Sequence, residues 1–240
     1  MSRNKRVVVI PMKENNQRLS GKNVKLLGGT PLYQWCLSTM CEVDVDRIVL
    51  DIWGSQLATQ VTTELLQLHA DGTIENDAPE ISVIPRIPEL RDEMIGGDKL
   101  LAPFVTDPGT IYMQAHVTSP FVSPEAYTAA FEQFDEDPDF ECTASVTSIQ
   151  QRVWYRGTPV NFNVFGTIQR TQDLTSVDVE NGAFFAFRGS YYLREGNRFG
   201  TSRKQAVMSL EYPDTVDIDT AEDFEEAERV VAQMAGGGDD

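Results

Sequence analysis

Four consecutive β-branched residues, Val7 to Ile10, are followed at once by Pro11 and a polar loop that runs to Asn23. A short apolar run closed by proline is typical of a buried strand. The loop carries Lys13, Arg18 and Lys22 beside Gly21, so it places several cations at one edge of a sheet. In α/β folds, ligands bind outside the carboxyl ends of the strands. The feature predicts an anion site there, although a solvated surface loop fits the residue types equally well.

The rest of the chain alternates short apolar runs with helical periodicity, which is typical of an α/β sheet protein. A final helix after Thr220 is predicted to bury Phe224, Ala227, Val231 and Met234. Strands are predicted over 47–53, 81–85, 111–114, 142–149, 153–155 and 183–187, and other helices over 56–68, from Thr30 and Pro31, and from Ser123 and Pro124. Loops are predicted over 91–99 and 165–181, the second of which covers the site or reaches a partner.

Composition narrows the class of protein. The net charge is −17 and no basic stripe is present, which argues against nucleic acid as a partner. Cys36, Cys41 and Cys142 lack metal-ligand spacing and are predicted to be reduced thiols of a cytoplasmic protein. No apolar stretch approaches membrane-spanning length, so neither a signal peptide nor an anchor is predicted.

The cationic loop is chemically suited to a triphosphate. Backbone N–H groups of a glycine-containing loop can approach phosphate closely, and lysine or arginine offsets its charge. The loop is neither a Walker loop, which needs Gly-Lys-Ser/Thr after an earlier glycine, nor the G-x-G-x-x-G of dinucleotide sites. The two commonest nucleotide motifs are therefore excluded.

An acidic pair near the other end of the chain could hold a metal. Asp217 and Asp219 are two residues apart, so in a strand both carboxylates would project to one face. Mg²⁺ prefers one or two carboxylates together with the oxygens of a bound nucleotide. Alternatively, Asp219 or Thr220 only caps the following helix.

Four segments, in this order, resemble the acylneuraminate cytidylyltransferases, also called CMP-sialic acid synthetases. They are Ile10–Asn23 (IPMKENNQRLSGKN), Thr118–Phe121 (TSPF), Arg170–Leu174 leading to Glu180–Ala183 (RTQDL and ENGA), and Val216–Thr220 with Asp223-Phe224 (VDIDT and DF). The resemblance spans nearly the whole chain.

The resemblance implies a Rossmann-like three-layer α/β nucleotidyltransferase fold with a mostly parallel mixed sheet. It implies one domain over residues 1–235, with a dimerisation and sugar-site extension near 150–181, and a homodimer. The Gly-rich acidic tail over 236–240 is predicted from its composition to be disordered. The resemblance also implies a Mg²⁺-dependent transfer of CMP from CTP to an acidic nine-carbon sugar. The expected nucleotide-binding residues are Pro11, Lys13, Asn15, Arg18, Lys22 and Asn23. The expected catalytic residues are Lys22, Asp217 and Asp219, the two aspartates also binding the metal. The expected sugar-binding residues are Gln114, His116, Thr118, Ser119, Arg170, Gln172, Asn181 and Gly182.

Several of these residues have a second interpretation. Asn181-Gly182 is by local rules a type I′ hairpin turn. His116 stands where the family often has glutamine, and a lone histidine after a strand is more often structural. Arg170 and Gln172 could be surface polar residues, and Arg198, Arg203 and Lys204 either extend an anionic pocket or are solvated. A glycosyltransferase, or an inactive relative that only binds a nucleotide sugar, remains an alternative function.

Overall fold

The computed structural model describes residues 3–75 and 77–236. Seven strands form one sheet and two short hairpins lie outside it. The strands are β1 (Arg6–Lys13), β2 (Leu26–Leu27), β3 (Thr30–Pro31), β4 (Arg47–Trp53), β5 (Glu80–Pro85), β6 (Ile111–Ala115), β7 (Cys142–Ile149), β8 (Trp154–Tyr155), β9 (Thr158–Pro159), β10 (Val177–Arg188) and β11 (Gln205–Ser209). The helices are α1 (Leu32–Glu42), α2 (Ser55–Ala70), α3 (Gly97–Leu101), α4 (Pro124–Glu136), α5 (Gly189–Glu195) and α6 (Ala221–Gly236), with 3₁₀ turns at Lys22–Val24, Pro88–Leu90 and Thr171–Asp173.

The sheet is mixed but mostly parallel. Its strand order is β11-β7-β10-β6-β1-β4-β5. β1 is central and pairs in parallel with β4 and β6, while β10 runs antiparallel to both β6 and β7. The predicted α/β fold class is confirmed.

Alternation along the strands divides the core between the two faces of the sheet. In β1, Val8 and Ile10 belong to one cluster, together with residues of α1, α2 and α4. Val7 and Val9 belong to the other, with residues of α3 and α5. Helices therefore cover both faces, which gives three layers and leaves the carboxyl ends of the parallel strands as the open edge.

The start of α6 is capped by Thr220 and Asp223, as the sequence predicts. Thr220 Oγ1 accepts a hydrogen bond from the Asp223 backbone N–H at 3.2 Å, and Asp223 Oδ2 accepts one from the Thr220 backbone N–H at 2.8 Å. Phe224, Ala227 and Val230 are buried against Leu27 and Ile218. Met234 was predicted to be buried but is exposed, because the surface that α6 covers ends one turn earlier.

Other boundaries differ from the predictions. Helix α1 begins at Leu32, because Thr30 and Pro31 pair with Leu26 and Leu27 as a hairpin. The predicted loop over 91–99 becomes helical at Gly97. The segment 165–181 is irregular only as far as Val177, where β10 begins. α6 extends to Gly236, so the predicted disordered tail otherwise lies outside the described residues.

The Asn181-Gly182 hairpin prediction is wrong. Both residues lie inside β10, where the register with β7 shifts between Glu180 and Phe185. Gly182 has φ of 72°, a left-handed conformation that glycine adopts without strain, so the pair forms a bulge and not a turn. The strand geometry considered for Asp217 and Asp219 does not occur either, because residues 216–219 belong to no strand and lead directly to α6.

Cys36 and Cys142 are buried and Cys41 is partly buried, and all three are free thiols. Among the described helices, none combines the length and apolarity needed to cross a bilayer.

Candidate active site

The loop after β1 and the segment before α6 meet at the open edge of the sheet. Lys22 Nζ donates to Asp219 Oδ1 at 2.9 Å and to the Ile218 carbonyl at 2.9 Å. Arg18 Nη2 lies 2.7 Å from the other carboxylate oxygen of Asp219. Residues almost 200 positions apart are therefore in direct contact, and one carboxylate is held between two cations.

The loop is shaped by its own polar groups. Gly21 has φ of 64° and begins the 3₁₀ turn that directs Lys22 inwards, where it is buried. The Asn23 side-chain amide donates to the Lys13 carbonyl at 2.7 Å, and the Asn16 amide donates to the same oxygen at 3.1 Å. Two side chains thus close the loop on the end of β1, which keeps its cations in fixed places.

A pocket of about 220 Å³ opens beside this loop. Its walls combine the end of β1, the segment before α3 and the end of β6. Of the predicted residues, Pro11, Lys13, Lys22, Asn23, His116 and Thr118 line it. A second, adjoining pocket is lined by Arg18, Asp219, Lys13 and Lys22. The prediction named Asn15, but that side chain is exposed, and Asn16 lines both pockets instead.

Asp219 lines this second pocket, whereas Asp217, two residues earlier, is not among the residues that line either pocket. The Ile218 backbone N–H between them donates to the Thr118 carbonyl at 2.7 Å, which ties the segment to the end of β6. Burial raises the pKa of Asp217 above its usual value, a hydrogen bond from Thr118 opposes this, and the Asp219 carboxylate raises it further. The pKa of a carboxyl rises beside another anion because two like charges repel.

These two carboxylates suit Mg²⁺ only if a ligand supplies further oxygen atoms. Over residues 3–75 and 77–236, no group of three or more His, Cys, Asp and Glu side chains forms a metal site. Mg²⁺ commonly uses one or two carboxylates and completes its shell with phosphate and water oxygens. The donor set therefore fits a metal that arrives with a phosphate ligand.

His116 is held against β10. Its Nδ1 is hydrogen-bonded to the Gly182 carbonyl, and its backbone N–H donates to the Ala183 carbonyl at 3.2 Å. Burial lowers the pKa of His116 to about 4, an effect that the Gly182 carbonyl only partly offsets. The ring is therefore neutral near pH 7, and the bulge at Gly182 is what brings β10 to the pocket.

The remaining predicted sugar-site residues are dispersed. Ser119 is buried, and Asn181 Oδ1 accepts a hydrogen bond from Ser145 Oγ at 2.6 Å. Arg170 is exposed on the extension and pairs with Asp173 at 2.7 Å, and the Gln172 carbonyl accepts from Gln150. In a single chain, the structure does not bring Arg170 and Gln172 to the pocket.

Sequence reasoning missed three charged residues of the pocket, Arg86, Asp92 and Glu93. Arg86 is buried and its Nε donates to Asp51, also buried, at 2.8 Å. Glu93 pairs with Lys13 and lines both pockets. A signal existed for the first pair, because Asp51 interrupts an otherwise apolar strand and Arg86 follows directly on the next one.

No protein-family model and no curated protein sequence matches the chain. Among solved structures, it is similar to CMP:2-keto-3-deoxy-manno-octonic acid synthetase complexed with CTP, with a TM-score of 0.66 and 14% identity over 96% of this chain and 99% of that one. The chain shares the fold of that enzyme. It is also similar to 4-diphosphocytidyl-2C-methyl-D-erythritol synthase from Anaerococcus prevotii DSM 20548, with a TM-score of 0.60 and 14% identity over 95% and 99% of the two chains. The nucleotidyltransferase fold implied by the sequence motifs is thereby confirmed.

The partly buried, neutral state of His116 predicts a pH effect. A group whose folded pKa is depressed stabilises the protein above its unfolded pKa and loses that contribution as pH falls towards the folded value. The free energy of unfolding of the wild type should fall by about 1–2 kcal/mol more than that of His116→Gln between pH 7 and pH 4.5. Urea denaturation at both pH values measures this. His69→Gln, which changes an exposed histidine, should behave as the wild type. Equal losses in wild type and His116→Gln would contradict a neutral ring with a lowered pKa.

Proposed function

We propose that the protein is a cytidylyltransferase that joins CMP from CTP to a 2-keto-3-deoxy sugar acid and releases pyrophosphate. The observation that carries the proposal is the contact of Lys22 and Arg18 with Asp219 at the carboxyl edge of the sheet. That edge is where α/β folds bind nucleotides, and the fold is shared with enzymes named for cytidylyl products.

The loop cations would bind the triphosphate. In the structure, Lys13 pairs with Glu93. Asp219 pairs with both Arg18 and Lys22. A more highly charged anion can replace these carboxylates as the partner of the cations without leaving a carboxylate buried and unpaired. Asn23 and Asn16 keep the loop closed on Lys13 while this happens. Preorganised cations of this kind stabilise charge on a transferring phosphoryl group.

Asp217 and Asp219 would hold Mg²⁺, which would offset the charge of the triphosphate and orient it. The anomeric hydroxyl of the sugar would attack the α-phosphorus in line. A new oxygen–phosphorus bond would form as the bond to pyrophosphate breaks, with the hydroxyl proton leaving to a base. The protein would act by positioning and by charge neutralisation, which suits a site of fixed cations and carboxylates.

Two observations, one from the sequence and one from a similar structure, bear on the class of sugar. The segments shared with acylneuraminate cytidylyltransferases favour a nonulosonic, sialic-type acid, while the structural neighbour is named for an eight-carbon 2-keto-3-deoxy acid. Both are acids with an anomeric hydroxyl beside the carboxylate. We favour the nine-carbon acid, because the motif around Asn181 and Gly182 borders the histidine of the pocket.

We also infer that the protein acts as a homodimer through its extension. Between β7 and β10, six large apolar side chains are substantially exposed, with Phe165 at 83% exposure. They are Trp154, Tyr155, Val160, Val164, Phe165 and Ile168. An exposed apolar patch on a folded chain commonly marks a protein interface. A second copy bound there could bring Arg170 or Gln172 to the neighbouring pocket.

The substrate is tested by pyrophosphate release from CTP with N-acetylneuraminic, legionaminic, pseudaminic and 3-deoxy-D-manno-octulosonic acids, with a Mg²⁺ titration. We expect turnover with at least one nine-carbon acid. Asp219→Ala should reduce kcat by about a hundredfold or more while the urea midpoint is retained. Glu225→Ala, an exposed acid on α6, is the control. CTP binding without turnover of any acid would favour an inactive relative. Turnover of a UDP-sugar would favour a glycosyltransferase. Turnover of a phosphorylated methylerythritol would favour an activity like that of the second similar structure, the 4-diphosphocytidyl-2C-methyl-D-erythritol synthase.

Light scattering tests the dimer. The wild type should have the mass of two chains at micromolar concentration. The double variant Phe165→Glu with Ile168→Glu should be monomeric, because it places charges in the apolar contact. Leu66→Glu, which changes an exposed leucine on α2, should remain dimeric. A monomeric wild type would remove the proposed role of the extension.

A further inference from the structure

Arg198 lies near His116, a residue that lines the pocket, and its positive charge helps to lower the pKa of that histidine. Its guanidinium carbon is 3.9 Å from the centroid of the Phe185 ring, and its Nη1 donates to Gln114 Oε1 at 2.5 Å. Gln114 and Phe185 face each other across the β6–β10 ladder. The side chain is only 20% exposed, so the arginine belongs to the interior of this edge and is not a solvated charge. Arg203 and Lys204 of the same segment are exposed.

The position of Arg198 is fixed by α3. Its backbone N–H donates to Asp98 Oδ1 at 3.0 Å. Gly97 allows the close approach, since a Cβ at that position would lie 1.8 Å from Arg198 Nη1. The glycine and the hydrogen bond together hold the guanidinium over the Phe185 ring.

The charge of Arg198 is poorly matched by the residues around it. Its partner Gln114 is neutral, and the nearest carboxylate is that of Asp98, 3.8 Å from Nε and 44% exposed. Arg86, by contrast, contacts a buried aspartate at 2.8 Å. Among the described residues, Arg198 Nη2 has no hydrogen-bond partner. Burial lowers the pKa of Arg198, and the carboxylates of Asp98 and Glu180 only partly oppose this.

Arg198 is close to the residue expected to meet the sugar. His116 lines the pocket and follows Gln114 by two residues, and its ring centroid lies 6.5 Å from that of Phe185. Arg18 and Lys22 of the triphosphate loop contact Asp219 instead. A ligand that spans the site would thus meet two separate sets of positive groups near His116, Arg198 and the loop cations.

We propose that Arg198 binds the carboxylate of the sugar acid and so selects acids over neutral sugars. The inference rests on the proposed cytidylyltransferase activity and names a specificity residue for it. A guanidinium offers parallel N–H donors that match a carboxylate, and a ring beneath it fixes its plane. The carboxylate would supply the close anion that Arg198 lacks.

The test uses the acid that the wild type turns over, together with its carboxamide, in which the carboxylate charge is removed. KM and kcat are measured for both with wild type, Arg198→Gln, Arg198→Lys and the exposed control Arg203→Gln. In the wild type, kcat/KM for the acid should exceed that for the amide by about 10- to 100-fold. Arg198→Gln should lose most of that preference, through a higher KM for the acid, with the KM for CTP unchanged. Arg198→Lys should retain part of it, and Arg203→Gln all of it.

The outcomes separate the two proposals. No turnover of any acid by the wild type overturns the proposed function and this inference with it. Turnover by the wild type, with the acid preference kept in Arg198→Gln, overturns the inference alone. If Arg198→Gln does not fold, the comparison of Arg198→Lys with wild type decides, because lysine keeps the charge and loses the paired donors. An equal loss for acid and amide would assign Arg198 a structural role and would also overturn the inference.

Discussion

The contact of Asp219 with Lys22 and Arg18 joins the two ends of the chain and defines the site. Each end is placed by a different part of the fold. The central strand β1 ends at the open edge, so the loop that follows it lies there. The Thr220–Asp223 cap and the buried face of α6 fix the position of the segment that carries Asp217 and Asp219. The chain carries a net charge of −17, so unpaired cations at this edge would lie in a strongly acidic molecule. Glu93 and Asp219 pair with these cations, and under the proposed function a phosphate would replace those contacts.

The sequence predicts those parts of the fold that depend on local pattern. Short apolar runs predict β1, β4 and β6, and helical periodicity predicts α2 and α4. An element that buries one or both of its faces has apolar residues at regular positions in the sequence. The cationic loop and the acidic pair can be placed at one edge only with the family resemblance, since nothing local relates Lys22 to Asp219. The structure shows this contact between Lys22 and Asp219 directly.

The errors arise where distant partners override local preference. Asn-Gly favours a hairpin, yet β10 pairs with β6 and β7 on its two sides, which turns the pair into a bulge. Asp217 and Asp219 alternate as in a strand, but no neighbouring strand is available to Val216 and Ile218, which pack beside α6. Arg86 was not selected from sequence, because its partner Asp51 lies 35 residues away. Arg198 was left with two interpretations, because its partner Gln114 lies 84 residues away.

We propose that the triphosphate binds between Lys22 and the pair Asp217 and Asp219. A crystal structure with CTP and Mn²⁺ in place of Mg²⁺ tests this most directly, because anomalous scattering locates the metal without assumption. We predict a metal peak in contact with both carboxylates and with phosphate oxygens, and a phosphate within hydrogen-bond distance of Lys22 Nζ. A nucleotide bound with its phosphates away from Lys22, or a metal that touches neither aspartate, would contradict the account.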